Sequence, residues 1–360
     1  MSVTIDIAGL PPERIRFAPS PLGELTAMLH VLSEPGHHPA LSGWAVATAA
    51  LLESELADRL LEAETLWRSA RADFLIPGRP GLTLADELDA IDRIEDEAYV
   101  AAALTSQRAS APIHPMPSPL TDPAARHLAL DIARARGPQQ AAFAELLLAD
   151  PPAVRAWVRR LLHDCEEAFF ADTWQRIRNF LTADARQKTD LLIRQGPAKA
   201  MAAVSSAVTL DETRHRIVID KLQDVSTSAD GDGVTFIPSI HGRPHLTIVF
   251  SPGWRPVVQY PATETGLPHP VPPEVVQRRL EALAHPVRIR LCRTLSRGGH
   301  TTGELAAFWQ LSAPAVSRHL AVLKKAGLLT TRRRGRYVLY ELDLDTSARL
   351  GIDLLEAVLR

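Results

Sequence analysis

The stretch Leu311–Leu342, "LSAPAVSRHLAVLKKAGLLTTRRRGRYVLYEL", carries two hydrophobic periods in succession. Val316, Leu320 and Leu323 recur at i, i+4 and i+7, the spacing of one helical face, and Gly327 then suits the left-handed position that closes a helix. "LLTTRRRGRYVLYEL" follows with β-branched and aromatic residues on each side of Arg334-Gly335, the pattern of a hairpin. Arg332, Arg333, Arg334 and Arg336 crowd its turn.

Upstream of this stretch, "EVVQRRLEALAHPVRIRLCRTLS" reads as two helices parted at His285-Pro286, because the residue before proline is pushed out of the helical region. Leu280, Leu283, Ile289, Leu291 and Leu295 are expected on their inward faces. Thr302 opens a third short helix, "TGELAAFWQ", with Leu305 and Phe308 inward, and a turn at "LSA" leads into the helix from Pro314. Helix, short turn and helix in this order place the first turn of the second helix where it can enter a major groove. Ser312, Pro314, Ala315, Ser317 and Arg318 fall on or beside that outward turn, next to His319, with Lys324 further along. Arginine suits a bidentate contact with guanine, and an arginine-rich hairpin suits phosphate or a minor groove.

Charge supports this division. Residues 271–360 hold 15 Arg and Lys against 8 acids, a net charge of +7, which leaves −9 for the rest of a chain whose formal total is −2. A basic module on an acidic body is expected when only the module meets a polyanion. The boundary falls in "YPATETGLPHPVPPE", Tyr260–Glu274, where five prolines in 15 residues interrupt every helical period. Residues 1–260 are therefore read as an N-terminal domain for sensing or dimerisation, 261–273 as a linker and 274–360 as a DNA-binding domain.

The residues "AHPVRIRL", "ELA", "SRHLAVLKKAGL" and the arginine hairpin with "YVLYEL" together resemble the winged helix–turn–helix of ArsR-type transcriptional regulators, over about a quarter of the chain. The resemblance implies a homodimeric, sequence-specific operator binder, usually a repressor acting on an inverted repeat in double-stranded DNA. It carries over Ser317, Arg318 and His319 as recognition-helix residues and Arg332 to Tyr337 as the wing. Metal-sensing members hold a cysteine pair on the helix matching "TTGELAAFWQ", or acidic and histidine ligands on the last helix, here "TSARLGIDLLEAVLR". Neither set is present, so metal sensing at either usual site is not expected.

The N-terminal domain is mostly helical by pattern. Leu22, Leu25, Leu29 and Leu32 share a face, as do Leu84, Leu88, Ile91 and Ile94 behind a Thr83/Asp86 cap. Asp150 before Pro151-Pro152 starts a long helix carrying Trp157, Leu161, Phe169, Ile177 and Phe180, which ends before Gly196-Pro197. From Arg214 to Pro261 the runs "HRIVID", "GVTFIPSI", "HLTIVF" and "PVVQYP" alternate with turn residues, predicting one small antiparallel sheet that closes this domain. The expected fold is thus mainly α with small β parts. "SPLGELTAMLHVL", "RADFLIP" and "VTFIPSIHGRPHLTIVFSPGW" look like an uncharacterised domain found ahead of winged helices in actinobacterial regulators, an architecture that brings no chemistry with it.

Within residues 1–260 there is no phosphate loop, nucleophile elbow, dinucleotide fingerprint or metal-ligand motif, so no enzyme activity and no cofactor are expected. An enzyme or a structural scaffold fused to a DNA-binding module is the alternative. The histidines at 30, 37, 38, 241 and 245 are read as helix and turn residues, with no metal assigned to them. Cys165 and Cys292 stand far apart outside any ligand spacing and are expected to be buried thiols in a reducing cytoplasm. Trp157, Trp174, Phe236, Trp254 and Tyr260 are the candidates for lining an effector pocket, should a small-molecule effector exist. The start "MSVTIDIAGLPPERIRF" and the lack of a long apolar run lead us to expect neither a leader nor a membrane span, and a cytoplasmic location.

Overall fold

Ser20, Thr83, Asp122 and Asp150 each stand just before a helix, and each side chain accepts a hydrogen bond from that helix's unpaired amides. Such caps fix helix starts and are each worth about 1 kcal/mol. At Thr83 the box is reciprocal, because Asp86 also accepts from the Thr83 amide. The computed structural model describes every residue except 1, 107–116, 222–223, 230–231, 263–270, 335–336 and 360, and it divides into two units, residues 1–268 and 269–360. Most of the Pro-rich segment falls outside the described residues.

The first unit contains β1 (Ser2–Asp6), β2 (Ile15–Phe17), α1 (Pro21–Ser33), α2 (Ser42–Ala49), α3 (Ser54–Ala63), α4 (Leu84–Asp92) and α5 (Asp96–Thr105). After these come α6 (Pro123–Arg136), α7 (Pro138–Ala149), α8 (Pro151–Cys165), α9 (Ala171–Gln195) and α10 (Pro197–Val204). Strands β3 (Val208–Asp211), β4 (Arg216–Asp220), β5 (Val225–Ser228), β6 (Val234–Ser239), β7 (Thr247–Val249) and β8 (Val257–Pro261) complete it.

The expectation of one antiparallel sheet needs correction. The strands form two four-stranded sheets, ordered β3-β4-β1-β5 and β2-β6-β8-β7. Pairs β1·β5, β2·β6 and β6·β8 run parallel. The reason lies at the other end of the sequence, where "SVTID" and "IRF" supply a central and an edge strand that the local turn pattern around residues 214–261 does not reveal. Gly233 makes the second sheet possible. Its φ is +86°, and a Cβ there would lie 2.2 Å from the Arg14 carbonyl oxygen, on the approach of β2 to β6.

Leu22, Leu25 and Leu29 pack into the helical core with Trp67, Phe74 and Tyr99, as their spacing predicts. Helix α1 is nevertheless buried all round from Pro21 to Val31, so its polar residues also lie inside and must find partners. Thr26 donates to the Gly23 carbonyl, Glu24 accepts from His241, and His30 bonds the Trp67 carbonyl. A second core, with Ile5, Ile217, Ile219, Phe236 and Val258, lies between α9–α10 and the sheets. Tyr260 on β8 donates to Asp184 on α9 at 2.6 Å, and Asp184 also pairs with Lys188. Cys165 and Cys292 are both free and buried.

The second unit contains α11 (Pro273–Leu283), α12 (Pro286–Leu295), α13 (Thr302–Trp309), α14 (Ala313–Lys325), β9 (Leu329–Arg334), β10 (Tyr337–Leu342) and α15 (Leu344–Leu359). His285 caps α12 with Nδ1 accepting from the Val287 amide, which fixes the break before Pro286. The core holds Leu291, Leu295, Leu305, Val316, Leu320, Leu323 and Leu328. Three residues expected inward are not: Leu280, Ile289 and Phe308 are 39%, 50% and 69% exposed. On α13 the inward aromatic is Trp309, four residues after Leu305, with its indole N–H on Thr294 at 3.1 Å. Buried Asp353 on α15 accepts from Arg279 on α11 at 2.7 Å, joining the first and last helices of the unit.

Candidate nucleic-acid interface

The turn between α13 and α14 is made by Gln310, in the left-handed conformation at φ +53°, and by Ser312, whose hydroxyl accepts from the Ala315 amide. Pro314 suits this first turn because its missing N–H would have had no partner there. With Val316, Leu320 and Leu323 committed to the core, Pro314, Ser317 and Arg318 are exposed and Ala315 is half-buried. The outward surface of the helix start therefore presents small residues and one guanidinium. Lys324 and Lys325 are exposed in its last turn, where the helix dipole favours cations. Gly327 follows at φ +72°.

His319 lies on α14 beside these residues. Its ring packs on that of His285 with centroids 4.8 Å apart and is half-buried. Burial, followed by the nearby His285, Arg288 and Arg318, holds its imidazole below the ordinary value. The contact with His285 ties α14 to the start of α12.

The arginines also sit differently from the expectation of a flexible tip. Arg332, Arg333 and Arg334 are exposed residues of β9 itself, paired with Leu339, Val338 and Tyr337 of β10. Arg336 lies outside the described residues, and Tyr337 is 52% exposed. A bridge between His300 and Tyr340, with backbone hydrogen bonds of 2.9 and 2.8 Å, adds a third chain segment to the pair. The wing thus starts as paired β structure anchored to the segment ahead of α13.

The five aromatic candidates for an effector pocket divide between two cores. Trp157, Trp174 and Trp254 pack against the helical core, Trp254 also touching the cluster of Ile76, Ile237, Val249 and Val257, while Phe236 and Tyr260 belong to the core beside the sheets. A surface groove of 360 Å³ beside α9, lined by Arg186, Gln187, Asp190 and Arg194 among others, contains none of them. What local sequence reasoning missed is a grouping of His30, His38 and His245, whose partners are far apart along the chain.

A helix–turn–helix followed by a paired β wing defines the second unit as a winged helix–turn–helix of the ArsR type. Residues 283–332 match the family described as "Helix-turn-helix domain". Residues 1–266 match the "Family of unknown function (DUF5937)", and the chain belongs to that family. The biofilm growth-associated repressor of Agrobacterium fabrum is 37% identical over 108 residues, which cover 27% of this chain and 92% of that protein. The HTH-type transcriptional repressor SmtB of Mycobacterium tuberculosis is 41% identical over 89 residues, 24% of this chain and 66% of that protein. Among solved structures, the transcriptional repressor BigR from Xylella fastidiosa is 31% identical over 22% of this chain and 82% of that chain, with a TM-score of 0.20.

Proposed function

We propose that this chain is a DNA-binding transcriptional repressor that acts as a homodimer on an inverted-repeat operator, with its activity set by a ligand or partner of the N-terminal unit. One observation carries the reading: Ser317 and Arg318 stand exposed on the first turns of α14, beside a strand that holds three exposed arginines. The repressor names of the relatives support it. Arg318 reads base edges, while the wing arginines contact phosphate, Arg332 and Arg334, together with Arg336, carrying more of that contact than Arg333.

Dimerisation is assigned to α15 with α11. These helices pack on each other through Arg279 and Asp353, and they leave Leu280, Leu354, Leu355 and Val358 exposed at 39%, 36%, 43% and 68%. Apolar residues repeated along one helix of a small module favour a self-complementary contact, and a two-fold contact presents two recognition helices to two half-sites about one helical turn apart. Regulation rather than catalysis is the role of the whole chain. Among the described residues no helix is long and apolar enough to cross a membrane.

The test is to incubate the purified full-length protein with fragmented DNA of its source genome and sequence what it retains. Enrichment of a few sites sharing an imperfect inverted repeat is expected. Retention of random fragments, or of none, would overturn the reading.

A further inference from the structure

Imidazole rings from distant parts of the sequence meet inside the N-terminal unit. His30 lies near the end of α1, His38 in the turn that follows, and His245 between β6 and β7. Their ring centroids form a nearly equilateral triangle, with sides of 5.0 Å (His30–His38), 5.2 Å (His30–His245) and 5.1 Å (His38–His245). One ligand-capable atom from each of the three lies within 4.8 Å of the others. His37 flanks the group, its ring 5.7 Å from those of His30 and His245.

Hydrogen bonding to the backbone orients two of these rings. His30 Nδ1 is 3.0 Å from the Trp67 carbonyl oxygen, and His38 Nδ1 meets the Arg243 carbonyl oxygen. A carbonyl oxygen only accepts, so Nδ1 carries the proton in both rings and Nε2 keeps a lone pair. An imidazole whose second nitrogen donates to a backbone carbonyl has the outer-shell arrangement of a metal ligand. His38 Nε2 is buried and has no hydrogen-bond partner among the described residues, and the same holds for His37 Nδ1. A buried acceptor left in that state is destabilising, and a shared cation would remove the cost.

Two buried charged side chains, Arg71 and Glu24, stand near the cluster. Arg71 is buried beside it and donates to Gln259 and Thr247. Glu24 is fully buried, and His241 Nδ1 lies 2.7 Å from its carboxylate. Burial pushes the Glu24 carboxyl up, but hydrogen bonds from His241 and Ser239 and the charge of His241 outweigh it and hold the group below its ordinary value. Glu24 lies near enough to Arg71 to favour its charged form. With Nδ1 held by a carbonyl oxygen, the neutral ring of each of His30 and His38 offers Nε2, the form that binds metal.

We propose that His30, His38 and His245 form a binding site for a divalent transition metal ion of the zinc type, with a fourth position open to water or to His37. Neutral nitrogen donors suit zinc, cobalt, nickel or copper, whereas calcium and magnesium need oxygen ligands. Tetrahedral coordination at about 2.0–2.1 Å brings donor nitrogens to about 3.3 Å from one another, so the rings close slightly on binding. The ion joins α1, the turn after it and the β6–β7 connection. Three protein ligands with one open position describe an exchangeable ion rather than a closed structural one. The site is independent of the DNA-binding reading and stands if that reading fails.

The test uses untagged full-length protein, stripped with a chelator and titrated with Co²⁺ and then Zn²⁺. One Co²⁺ per chain is expected, with the intense visible absorption of a four-coordinate ion that Zn²⁺ then bleaches. Since even outer-shell changes cost about 10–100-fold in affinity, His38→Ala and His245→Ala should each weaken binding at least tenfold. His285→Ala, which removes one of the two paired rings of the winged helix, should leave binding unchanged. Absence of stoichiometric binding by the wild type, retention of binding by the His38→Ala/His245→Ala double variant, or its loss in His285→Ala overturns the site. If the cluster variants unfold by circular dichroism, ¹⁵N spectra of the wild-type imidazoles decide: Zn²⁺ must move the Nε2 resonances of His30 and His38, and unmoved resonances refute the proposal.

Discussion

Arg333 and Arg334 are neighbours in sequence that point to opposite faces of β9, because Arg333 is paired with Val338 and Arg334 with Tyr337. The face of Arg333 continues through Thr331 to buried Leu329, opposite Tyr340 and Leu342, which pack on the core. Arg332 and Arg334 share the other face. If that face meets the phosphates, Arg332→Ala/Arg334→Ala should flatten the log–log salt dependence by up to about 1.8 per module, at about 0.9 per lost contact. Arg333→Ala should change it by less than half as much. Salt titrations of random DNA for both variants check this, and equal slopes would show that the strand meets DNA edge-on.

Arg318→Ala is expected to weaken operator binding by about 1–3 kcal/mol while leaving affinity for random DNA nearly intact. The loss should concentrate at one base position of each half-site. A titration against operators substituted at each position reads both effects, and equal losses on operator and random DNA would reassign Arg318 to phosphate.

Val358→Glu places a carboxylate on the exposed apolar row of α15. Burying an unpaired charge in a subunit contact opposes association, so the monomer–dimer constant should rise at least about tenfold. Sedimentation at several concentrations measures it, with circular dichroism verifying that the helix persists. An unchanged constant would locate the dimer contact elsewhere.

Asp73 provides a pH test of the N-terminal unit. Burial pushes its carboxyl up to about 6, against a lowering hydrogen bond with Ser251, and its Oδ2 has no partner among the described residues. A carboxyl raised in the folded state stabilises fully below its ordinary value, near 4, and its contribution is lost as pH rises through 6. Asp73→Asn removes this dependence. The variant should match the wild type near pH 4 and exceed it by about 1–3 kcal/mol at pH 8, less whatever the new amide loses if it finds no acceptor. Thermal unfolding across this range gives the answer, and a variant less stable than wild type at pH 8 would show that the carboxylate is ionised and satisfied.

The parts of this fold legible in its sequence are those fixed by local chemistry. The Thr83 box, the Asp150 cap, the break at His285-Pro286 and the stop at Gly327 all lie within a few residues of the features they control. The recognition helix was legible for the same reason, since Val316, Leu320 and Leu323 leave only Ser317, Arg318 and their neighbours outward. Non-local pairing was not legible. Strand β1 lies between β4 and β5, and no turn signal links Val3 to Val225. The contact between His319 and His285 is likewise out of reach of local pattern, because the two stand 34 residues apart. The choice between Phe308 and Trp309 as the inward aromatic turned on Thr294, which only the packed structure supplies as a hydrogen-bond acceptor.

Between α8 and α9 the chain makes a π-helical turn, Glu166–Phe170, without leaving the helical path. One extra residue per turn rotates everything downstream by about 100° relative to an uninterrupted α-helix. Val154, Val158, Leu161 and Leu162 before the turn face the helical core, whereas Leu192 after it faces the core beside the sheets. The π turn thus works as a phase shifter, letting one shaft keep time with two differently oriented cores. Closing it into an ordinary α turn without removing a residue would put the second half about 100° out of step and swing Leu192 into the direction that Ile193, 73% exposed, now takes, whereas deleting one residue there would leave an unbroken α-helix with Leu192 still on its core.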